Sequence, residues 1–403
     1  MSKLEELIAK LCPNGVEYKK IGDICERQKG ISITAGEMKK LDKENGPIRI
    51  FAAGNTAVNV NYGDISESAI IKKKSIIVKS RGNIGFEYYT KPFTHKNELW
   101  SYSAKSDLID LKYVYYYLQN HISEFQNMAK SGKLPQISTG DTDNYKIPIP
   151  PIEVQEEIVR ILDKFTELTA ELTAELTARK KQYEFYRDKL FVSQFNIVDW
   201  HPLNTVILSL NTGLNPRQFF RLNTEDAQNY YVTIREIQNH RIVFSDKTDK
   251  INDDALRLCN NRSNLEIGDV LFSGTGTIGE TAFIDEEPIN WNIKEGVYSI
   301  KPDPSKLDSK YLMYLLGCSE IKKMYMKKAA GGTVKSVPMA EMKNLKIPVP
   351  PLEEQKRIVE ILDRFDKLCN DISVGLPAEI QARKKQYEYY RDQLLNFDEL
   401  RAV

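Results

Sequence analysis

The feature that most constrains this chain is a stretch that occurs twice. The segment IPIPPIEVQEEIVRILDKF at 147–165 matches IPVPPLEEQKRIVEILDRF at 347–365, and a second shared block, RKKQYE, follows each copy at 179–184 and 383–388. The second copy has four more residues between its two blocks. Two matching blocks in the same order indicate an internal duplication, so the chain is expected to fold as two related halves.

Each copy predicts a long helix. Prolines lead into it, acidic residues follow at its start, and apolar residues then recur at three- and four-residue steps. A helix from 151 to about 190 would be roughly 60 Å long, and two such helices are expected to pair antiparallel with a globular domain at either end. Gly375 and Pro377 predict a kink or break in the second helix. The predicted packing stripe comprises Ile158, Leu162, Phe165, Leu168, Leu172 and Leu176 in the first copy, and Ile358, Leu362, Phe365 and Leu368 in the second.

The remainder of each half predicts a β-rich body. Short strand-like runs are separated by Gly and Asn, and one helix follows at 108–128 and at 307–326. The predicted fold class is α+β: two β-rich mixed globular domains, separated by two long antiparallel coiled-coil helices, in a pseudo-twofold duplication. The predicted segments are a first domain at 1–146, a first spacer helix at 147–195, a second domain at 196–346, and a second spacer helix with its tail at 347–403.

Composition excludes several classes of protein. The five cysteines and four histidines have no metal-ligand or disulfide-framework spacing, so no metal site is expected. A net charge of +1 argues against a general polyanion binder. With no leader-like segment and no long apolar run, a cytoplasmic protein without a membrane span is expected.

Motifs of catalysis are weak or missing. GTGTIG at 274–279 fits a dinucleotide fingerprint, but a strand is predicted after it where a pyrophosphate would need a helix N-terminus. The GTGTIG motif is therefore interpreted as a glycine turn at the surface and not as a dinucleotide site. The RKKQYE blocks fit a solvated helix face better than a phosphate grip, and the tyrosine cluster at 113–117 fits a core better than a stacking platform. The chain is predicted to be non-catalytic.

Polar residues close to glycines are better candidates for DNA contact. Arginine pairs with guanine, asparagine and glutamine pair with adenine, and lysine or threonine contacts phosphate. The candidates in the first half are Asn55, Thr56, Arg81, Asn83, Lys133 and Gln136, and those in the second half are Asn215, Arg217, Gln218, Arg235, Thr275, Thr277 and Lys335.

Together, the proline-led repeats, the TAEL run at 169–176 and the two RKKQYE blocks resemble the specificity subunits of type I restriction-modification systems. The resemblance implies two target recognition domains in inverted orientation, each reading one half of a split site in double-stranded DNA, with the helix pair setting their separation. It also implies two modification subunits that methylate adenine with S-adenosylmethionine. Restriction subunits would supply translocation and cleavage with ATP and Mg.

On this interpretation the chain itself carries no cofactor and no catalytic residue. Two alternatives remain at this point: a non-enzymatic coiled-coil scaffold with ligand-binding heads, and a DNA methyltransferase. Retention on DNA in the presence of a methylase would exclude the first. Binding of S-adenosylmethionine by the chain alone would favour the second.

Overall fold

The structure is a computed structural model that describes residues 3–129, 134–370 and 375–400. The chain divides into two compact units: unit 1 comprises Met1–Glu171 with Gln381–Val403, and unit 2 comprises Leu172–Ile380. Both divisions fall inside the duplicated helical segments, so each unit contains part of each copy. The sequence-based boundaries after residues 146, 195 and 346 separate bodies from helices, and they stay predictions.

The described residues of unit 1 form two sheets and a separate strand pair. Its helices are α1 (Lys3–Leu11), α2 (Ile21–Ile24), α3 (Ala35–Leu41), α4 (Leu111–Asn120), α5 (Ile122–Met128), α6 (Thr139–Asp143), the first part of α7 (Ile152–Val192) and the part of α14 (Leu376–Leu394) from Gln381 onward. Its strands are β1 (Glu17–Lys20), β2 (Cys25–Gln28), β3 (Ile48–Phe51), β4 (Ala57–Val60), β5 (Ser75–Lys79), β6 (Gly85–Tyr89), β7 (Phe93–His95), β8 (Trp100–Ala104) and β9 (Lys146–Ile149). The sheet orders are β2-β8-β5-β6 and β4-β3-β7, and β1 pairs with β9.

Unit 2 has the same kinds of element. Its helices are the remainder of α7, α8 (Pro216–Phe219), α9 (Asp253–Ser263), α10 (Ser309–Gly317), α11 (Ser319–Met326), α12 (Met339–Lys343), α13 (Leu352–Asn370) and the start of α14 (Leu376–Leu394). Its strands are β10 (Trp200–Pro202), β11 (Ile207–Thr212), β12 (Asn229–Val232), β13 (Ile237–Gln238), β14 (Arg241–Ile242), β15 (Lys250–Ile251), β16 (Val270–Ser273), β17 (Thr281–Phe283), β18 (Trp291–Ile293), β19 (Val297–Pro302) and β20 (Lys346–Pro348). The sheet orders are β11-β19-β16-β17 and β15-β12-β18, with pairs β10-β20 and β13-β14.

The two units share one topology. Each four-stranded sheet has the same strand order, and in each three-stranded sheet the central strand is parallel to one neighbour and antiparallel to the other. Shared topology beside shared sequence confirms the predicted α+β duplication. Among the described residues, no helix has the length and apolarity that a bilayer crossing requires.

The single helices predicted at 108–128 and 307–326 are each two helices. His121 leaves helical geometry between α4 and α5, with φ −103° and ψ 21°. Cys318 is extended between α10 and α11, with φ −61° and ψ 133°. The Cys318 side chain is fully buried in the core of unit 2, which holds the chain in this bend. The tyrosines at 113, 116 and 117 are at most 7% exposed, so most of the predicted tyrosine cluster is core.

One glutamine in each repeat joins the body of the unit to the long helix. Gln155, near the start of α7, accepts a hydrogen bond from Asp110 N (2.9 Å) and donates to Leu108 O (3.1 Å) and Pro150 O (2.7 Å). Its side chain is fully buried, and these bonds satisfy its amide. In unit 2 the same three bonds connect Gln355 with Asp308 N, Lys306 O and Pro350 O.

An aspartate about two turns further along the helix makes a second connection. Tyr116 donates to Asp163 Oδ1 (2.6 Å), and the Lys112 ammonium pairs with Asp163 Oδ2 (2.7 Å). Tyr314 and Lys310 hold Asp363 in the same way, both at 2.7 Å. Burial and the neighbouring carboxylate raise the pKa of both tyrosines, so they remain hydrogen-bond donors at neutral pH. The identities at 155/355 and 163/363 thus preserve one docking geometry.

The long helices pair within each unit. In unit 1 the Phe165 ring stacks on Tyr390 of α14, with centroids 5.6 Å apart. In unit 2 Tyr186 of α7 stacks on Phe365 of α13 (6.1 Å), and Gln194 hydrogen-bonds Glu354 (3.3 Å). Residue numbers rise along α7 while they fall along α13, so this pairing is antiparallel, as predicted.

Most residues of the predicted packing stripe are buried or partly buried. The isoleucines at 158 and 358 and the leucines at 162 and 362 are fully buried, and the residues at 165, 168, 172, 176 and 365 are partly buried. Leu368 differs, because 43% of its surface is exposed while the next residue, Cys369, is fully buried. Cys369 therefore occupies the place in the stripe that the sequence suggested for Leu368.

The predicted break in the second long helix is confirmed. Helix α13 ends at Asn370 and α14 begins at Leu376, after Gly375 in the left-handed region at φ +92°. A side chain at Gly375 would lie within 2.7 Å of the Leu368 carbonyl oxygen. Both the backbone conformation and the lack of space therefore require glycine at this position.

The segment after α14 completes unit 1. Val16 N donates to Asp398 O and Leu400 N donates to Val16 O, both at 2.9 Å, and Tyr18 donates to Phe397 O at 2.8 Å. Leu395 is 1% exposed in the core of this unit. Residues 395–400 therefore form part of the body whose first strand begins at Glu17.

Candidate nucleic-acid interface

In unit 1 the glycine turn between β5 and β6 lies beside the loop that follows α5. Gly82 N donates to Pro135 O (2.8 Å), and Ile137 N donates to Ser80 O (3.0 Å). These two bonds place Arg81 opposite Gln136 in an isolated antiparallel bridge. Two candidates far apart in sequence thus form one exposed surface.

Unit 2 has the same pair of loops in the same register. Gly276 N donates to Lys335 O (2.9 Å), Val337 N donates to Gly274 O (2.8 Å), and Thr275 lies opposite Ser336. The positions correspond one to one, with Arg81 equivalent to Thr275, Asn83 to Thr277, Pro135 to Lys335 and Gln136 to Ser336. We call these two surfaces the bridged loops of unit 1 and of unit 2.

The glycines explain the shape of the turn. Gly82 and Gly276 have φ of +75° and +81°, which other residues rarely adopt. A side chain at Gly274 would collide with the Tyr298 ring. The chain continues from the turn into strand β17, as predicted, so the GTGTIG glycines serve a tight turn between two antiparallel strands.

In unit 2 two further candidate loops lie close to the bridged loops. Gly274 N donates to Gly296 O (2.8 Å), and the adjacent Glu295 accepts from Asn215 Nδ2 (2.8 Å), at the start of α8. Helix α8 carries Arg217 and Gln218, both exposed. A side chain at Gly276 would meet the Ile234 side chain at 3.5 Å, which brings the 234–236 segment, with Arg235, to the same surface.

In unit 1 the neighbours of the bridged loops were missed by the sequence analysis. Ser80 Oγ donates to Glu98 O (2.5 Å), and Lys96 forms a parallel bridge with Ile31, as Lys294 does with Leu214 in unit 2. This places the exposed Asn97 near Arg81. No local motif marks Asn97, because only the strand topology brings it there.

Asn55 and Thr56 belong to the exposed β3–β4 turn. The preceding strand ends at Phe51, whose carbonyl oxygen accepts from Lys96 N (2.9 Å). The turn therefore leaves from the end of β3 that adjoins the 96–98 loop. Lys133 lies outside the described residues.

A buried histidine, His95, contacts the 96–98 loop from the interior of unit 1. His95 is fully buried, with Nδ1 3.2 Å from Lys96 O and Nε2 3.2 Å from Ser101 Oγ. Burial lowers its pKa, so the ring is neutral at physiological pH. The charge of this surface therefore comes from its exposed side chains.

Three of the candidate side chains are already engaged within unit 2. Arg235 pairs with Glu236 (2.9 Å) and Asp249 (3.1 Å), and the Glu236 hydrogen bond raises its pKa. Asn215 Oδ1 accepts from Arg217 N (3.1 Å) as a helix cap while its amide holds Glu295. Thr275 Oγ1 is 3.0 Å from Ser336 Oγ. These residues shape the surface more than they offer free groups.

The remaining candidates present unengaged polar ends. Within the described part of the chain, their side chains form no hydrogen bond or ion pair, and all are exposed. They are Asn55, Thr56, Arg81, Asn83, Gln136, Arg217, Gln218, Thr277 and Lys335. This mixture of guanidinium, amide, hydroxyl and ammonium groups is suited to base edges and phosphates.

Comparison with known proteins identifies the same repeat. A family model described as the type I restriction modification DNA specificity domain matches residues 13–179 and 207–382. The specificity subunit of the EcoR124I/EcoR124II type I restriction enzyme of Escherichia coli is 34% identical over 73% of this chain and 72% of its own length. A putative type I restriction enzyme specificity subunit of Haemophilus influenzae is 33% identical over 84% of this chain and 86% of its own.

Solved structures share the fold. A crystal structure of the type I restriction-modification system S subunit from M. genitalium covers 94% of this chain and 96% of its own, at 16% identity and a TM-score of 0.56. A chain from a structural study of complex assembly and conformational transition of the type I restriction-modification system covers 96% and 98%, at 17% identity and a TM-score of 0.54.

Proposed function

This chain belongs to the type I restriction-modification DNA specificity family, and we propose that it recognises a split DNA site, with each unit reading one half. The observation that carries the proposal is the repetition of the bridged loops at equivalent positions of two units that share one topology. The backbone of the bridged loops has the same arrangement in the two units, while the side chains on it differ. The two units therefore present two different recognition surfaces on the same backbone arrangement.

Contacts to phosphate would position each unit, and contacts to base edges would carry the sequence information. In unit 1 the free groups are Asn55, Thr56, Arg81, Asn83 and Gln136. In unit 2 they are Arg217, Gln218, Thr277 and Lys335. Arg235 is proposed to act indirectly, because its guanidinium is held by two carboxylates.

Selection from a library of randomised duplexes tests the proposal. The full chain, with modification subunits present, should enrich two short sequence elements separated by a fixed number of unspecified base pairs. Enrichment of a single element, or of none, would contradict it. Adding S-adenosylmethionine to the chain alone, with calorimetric detection, separates this function from that of a methyltransferase, for which binding is expected.

The spacing between the half-sites is proposed to depend on the long helices. Helix α7 is continuous over 41 residues and passes from unit 1 into unit 2. At 1.5 Å per residue this corresponds to about 60 Å. Because the helix is unbroken, residues inserted within it displace and rotate everything that follows by a calculable amount.

The partner subunits are proposed to contact aromatic residues at the ends of the two RKKQYE blocks. Phe185 and Tyr389 occupy equivalent positions, and each is 63% exposed. Each ring packs edge-on against its neighbour, Tyr186 or Tyr390, with the same centroid distance of 5.5 Å and the same angle of 74°. Large apolar side chains exposed on a polar helix are typical of an interface.

One such aromatic pair lies in each unit, so we propose that two copies of the modification subunit bind. Light scattering of the assembled complex should find two copies with the wild-type chain and one with Phe185→Ser or with Tyr389→Ser. Glu184→Ser, which changes the adjacent exposed residue, should still bind two. If both aromatic variants bind two copies, the partner contacts another surface.

Chemistry is proposed to lie outside this chain. The modification subunits would supply adenine methylation with S-adenosylmethionine, and restriction subunits would supply ATP- and Mg-dependent translocation and cleavage. The free groups of the bridged loops bind and orient DNA, and none of them is paired with a base or nucleophile within the described residues.

A further inference from the structure

The bridge in unit 1 places two long polar side chains next to each other. The hydrogen bonds come from the neighbouring residues, Gly82 to Pro135 and Ile137 to Ser80, so Arg81 and Gln136 form a non-hydrogen-bonded antiparallel pair. In such a pair the Cα atoms are about 4.5 Å apart and both side chains extend from the same face. Arg81 and Gln136 therefore point together away from the turn.

Unit 2 demonstrates this geometry directly. The equivalent pair is Thr275 and Ser336, and their hydroxyl oxygens are 3.0 Å apart. The two side chains can meet only if they extend from the same face. In unit 2, however, the pair is short and its hydroxyls are bonded to each other.

We propose that Arg81 and Gln136 are the specificity-determining pair of unit 1, and that they read neighbouring base pairs in the first half-site, Arg81 at a guanine. The inference rests on the proposed function. An arginine pairs with guanine O6 and N7 through its two parallel N–H groups, and glutamine pairs with adenine N6 and N7. Base pairs are stacked about 3.4 Å apart, and the Cα atoms of such a pair are about 4.5 Å apart, so the two long side chains can reach neighbouring base pairs.

Three features separate this role from a structural one. Arg81 and Gln136 are exposed, and in the described chain neither side chain has a partner. Their backbone is fixed at both ends of the bridge, which holds the two side chains in register without using their polar groups. The equivalent hydroxyl pair cannot reach as far, so specificity in unit 2 falls to its other free groups, which are Thr277 and Lys335 on the bridged loops and Arg217 and Gln218 on α8.

The test compares selected sites for the full chain and five variants, one of which is Arg81→Ala, with modification subunits present. Arg81→Lys keeps the charge but loses the two-pronged hydrogen bond. Gln136→Ser shortens the second reader. The double variant Arg81→Thr with Gln136→Ser copies the pair of unit 2. Lys91→Thr, which removes another exposed charge of unit 1, is the matched control.

Arg81→Lys should relax preference at one guanine of the first half-site by about 5- to 150-fold, with total binding to non-specific DNA nearly unchanged. Gln136→Ser should relax the adjacent position only. The double variant should lose both positions and leave the second half-site intact, and Lys91→Thr should change neither half.

Uniform weakening over all sequences in Arg81→Ala, with full rescue by Arg81→Lys, would show a phosphate contact and overturn the inference. The same is true if Arg81→Lys alters the second half-site. If the wild-type chain enriches no split site, the proposed function itself fails. If it does enrich one and the variants leave it unchanged, only the reading pair is wrong. Thermal unfolding of each variant verifies that it is folded.

Discussion

The buried glutamine that joins each body to its long helix gives a sharp prediction about stability. Replacing Gln155 by Met keeps the length of the side chain and its helix propensity but removes three hydrogen bonds, to Asp110 N, Leu108 O and Pro150 O. A buried backbone group left without a partner costs about 1–3 kcal/mol. Because some of these groups are only part-buried and can recruit water, we expect a total loss of about 2–4 kcal/mol.

A unit of this size loses about 2–4 °C in melting temperature per kcal/mol, so its transition should fall by about 5–15 °C. Scanning calorimetry measures that shift. Hydrogen exchange locates it, with faster exchange expected in α4, whose first turn begins after Asp110, and no change in α10. Gln355→Met should show the reverse pattern. Glu156→Met, an exposed position on the same helix, is the control.

Two results would contradict this prediction. One is an unchanged melting temperature and unchanged exchange in α4 for Gln155→Met, because the three bonds would then carry no net stability. The other is equal acceleration in α4 and α10, which would mean that the glutamine acts on the whole chain. A functional readout accompanies the measurement, since only the half-site read by the destabilised unit should weaken.

Four further predictions concern α8, the TAEL run of α7, Glu157 and Asp363. Arg217→Ala should impair selection of the second half-site alone, measured on the selected duplexes, and equal loss on both halves would indicate general backbone binding. One extra TAEL after Leu176 adds about 6 Å and a net rotation of about 40°, so methylated-site mapping should find one more unspecified base pair and unchanged half-sites. Hydrogen bonds from Arg160 and Lys3 lower the pKa of Glu157 from an ordinary 4.5 to about 2. The ionised carboxylate therefore stabilises the folded state fully above pH 4.5, and this stabilisation is lost as the pH falls toward 2. Glu157→Gln should remove this part of the acid transition in calorimetry. Asp363→Asn should lower the melting temperature of unit 2 by weakening the bonds from Tyr314 and Lys310, with α4 exchange unaffected.

The duplication, the long helix and its break could be predicted because each depends on local pattern. Proline lead-ins, apolar periodicity and Gly375 are signals that act within a few residues. The repeated Gln155 and Asp163 were visible as identities, but their docking role required the position of the helix that each one holds. The division between α4 and α5 was missed because His121 interrupts the helix without a Pro or Gly.

The candidate site was predictable as a list of residues and not as a surface. Arg81 and Gln136 are 55 positions apart, and only two backbone hydrogen bonds bring them together. Arg235 is held by the adjacent Glu236 and by Asp249, whereas Arg217 is free, and only the fold brings Asp249 to Arg235. Asn97 carried no signal at all. Which polar groups are available is decided by non-local packing, which a single sequence does not display.

The location of the 395–400 segment in unit 1 has a consequence for biosynthesis. A ribosome releases residues 172–380, which make up unit 2, before it releases the residues that close unit 1 beside Val16. The half that is translated first is thus the half that matures last. Until translation reaches Leu395, the nascent chain carries one finished body and one whose core lacks a buried leucine and whose Val16 lacks its backbone hydrogen-bond partners, Asp398 and Leu400.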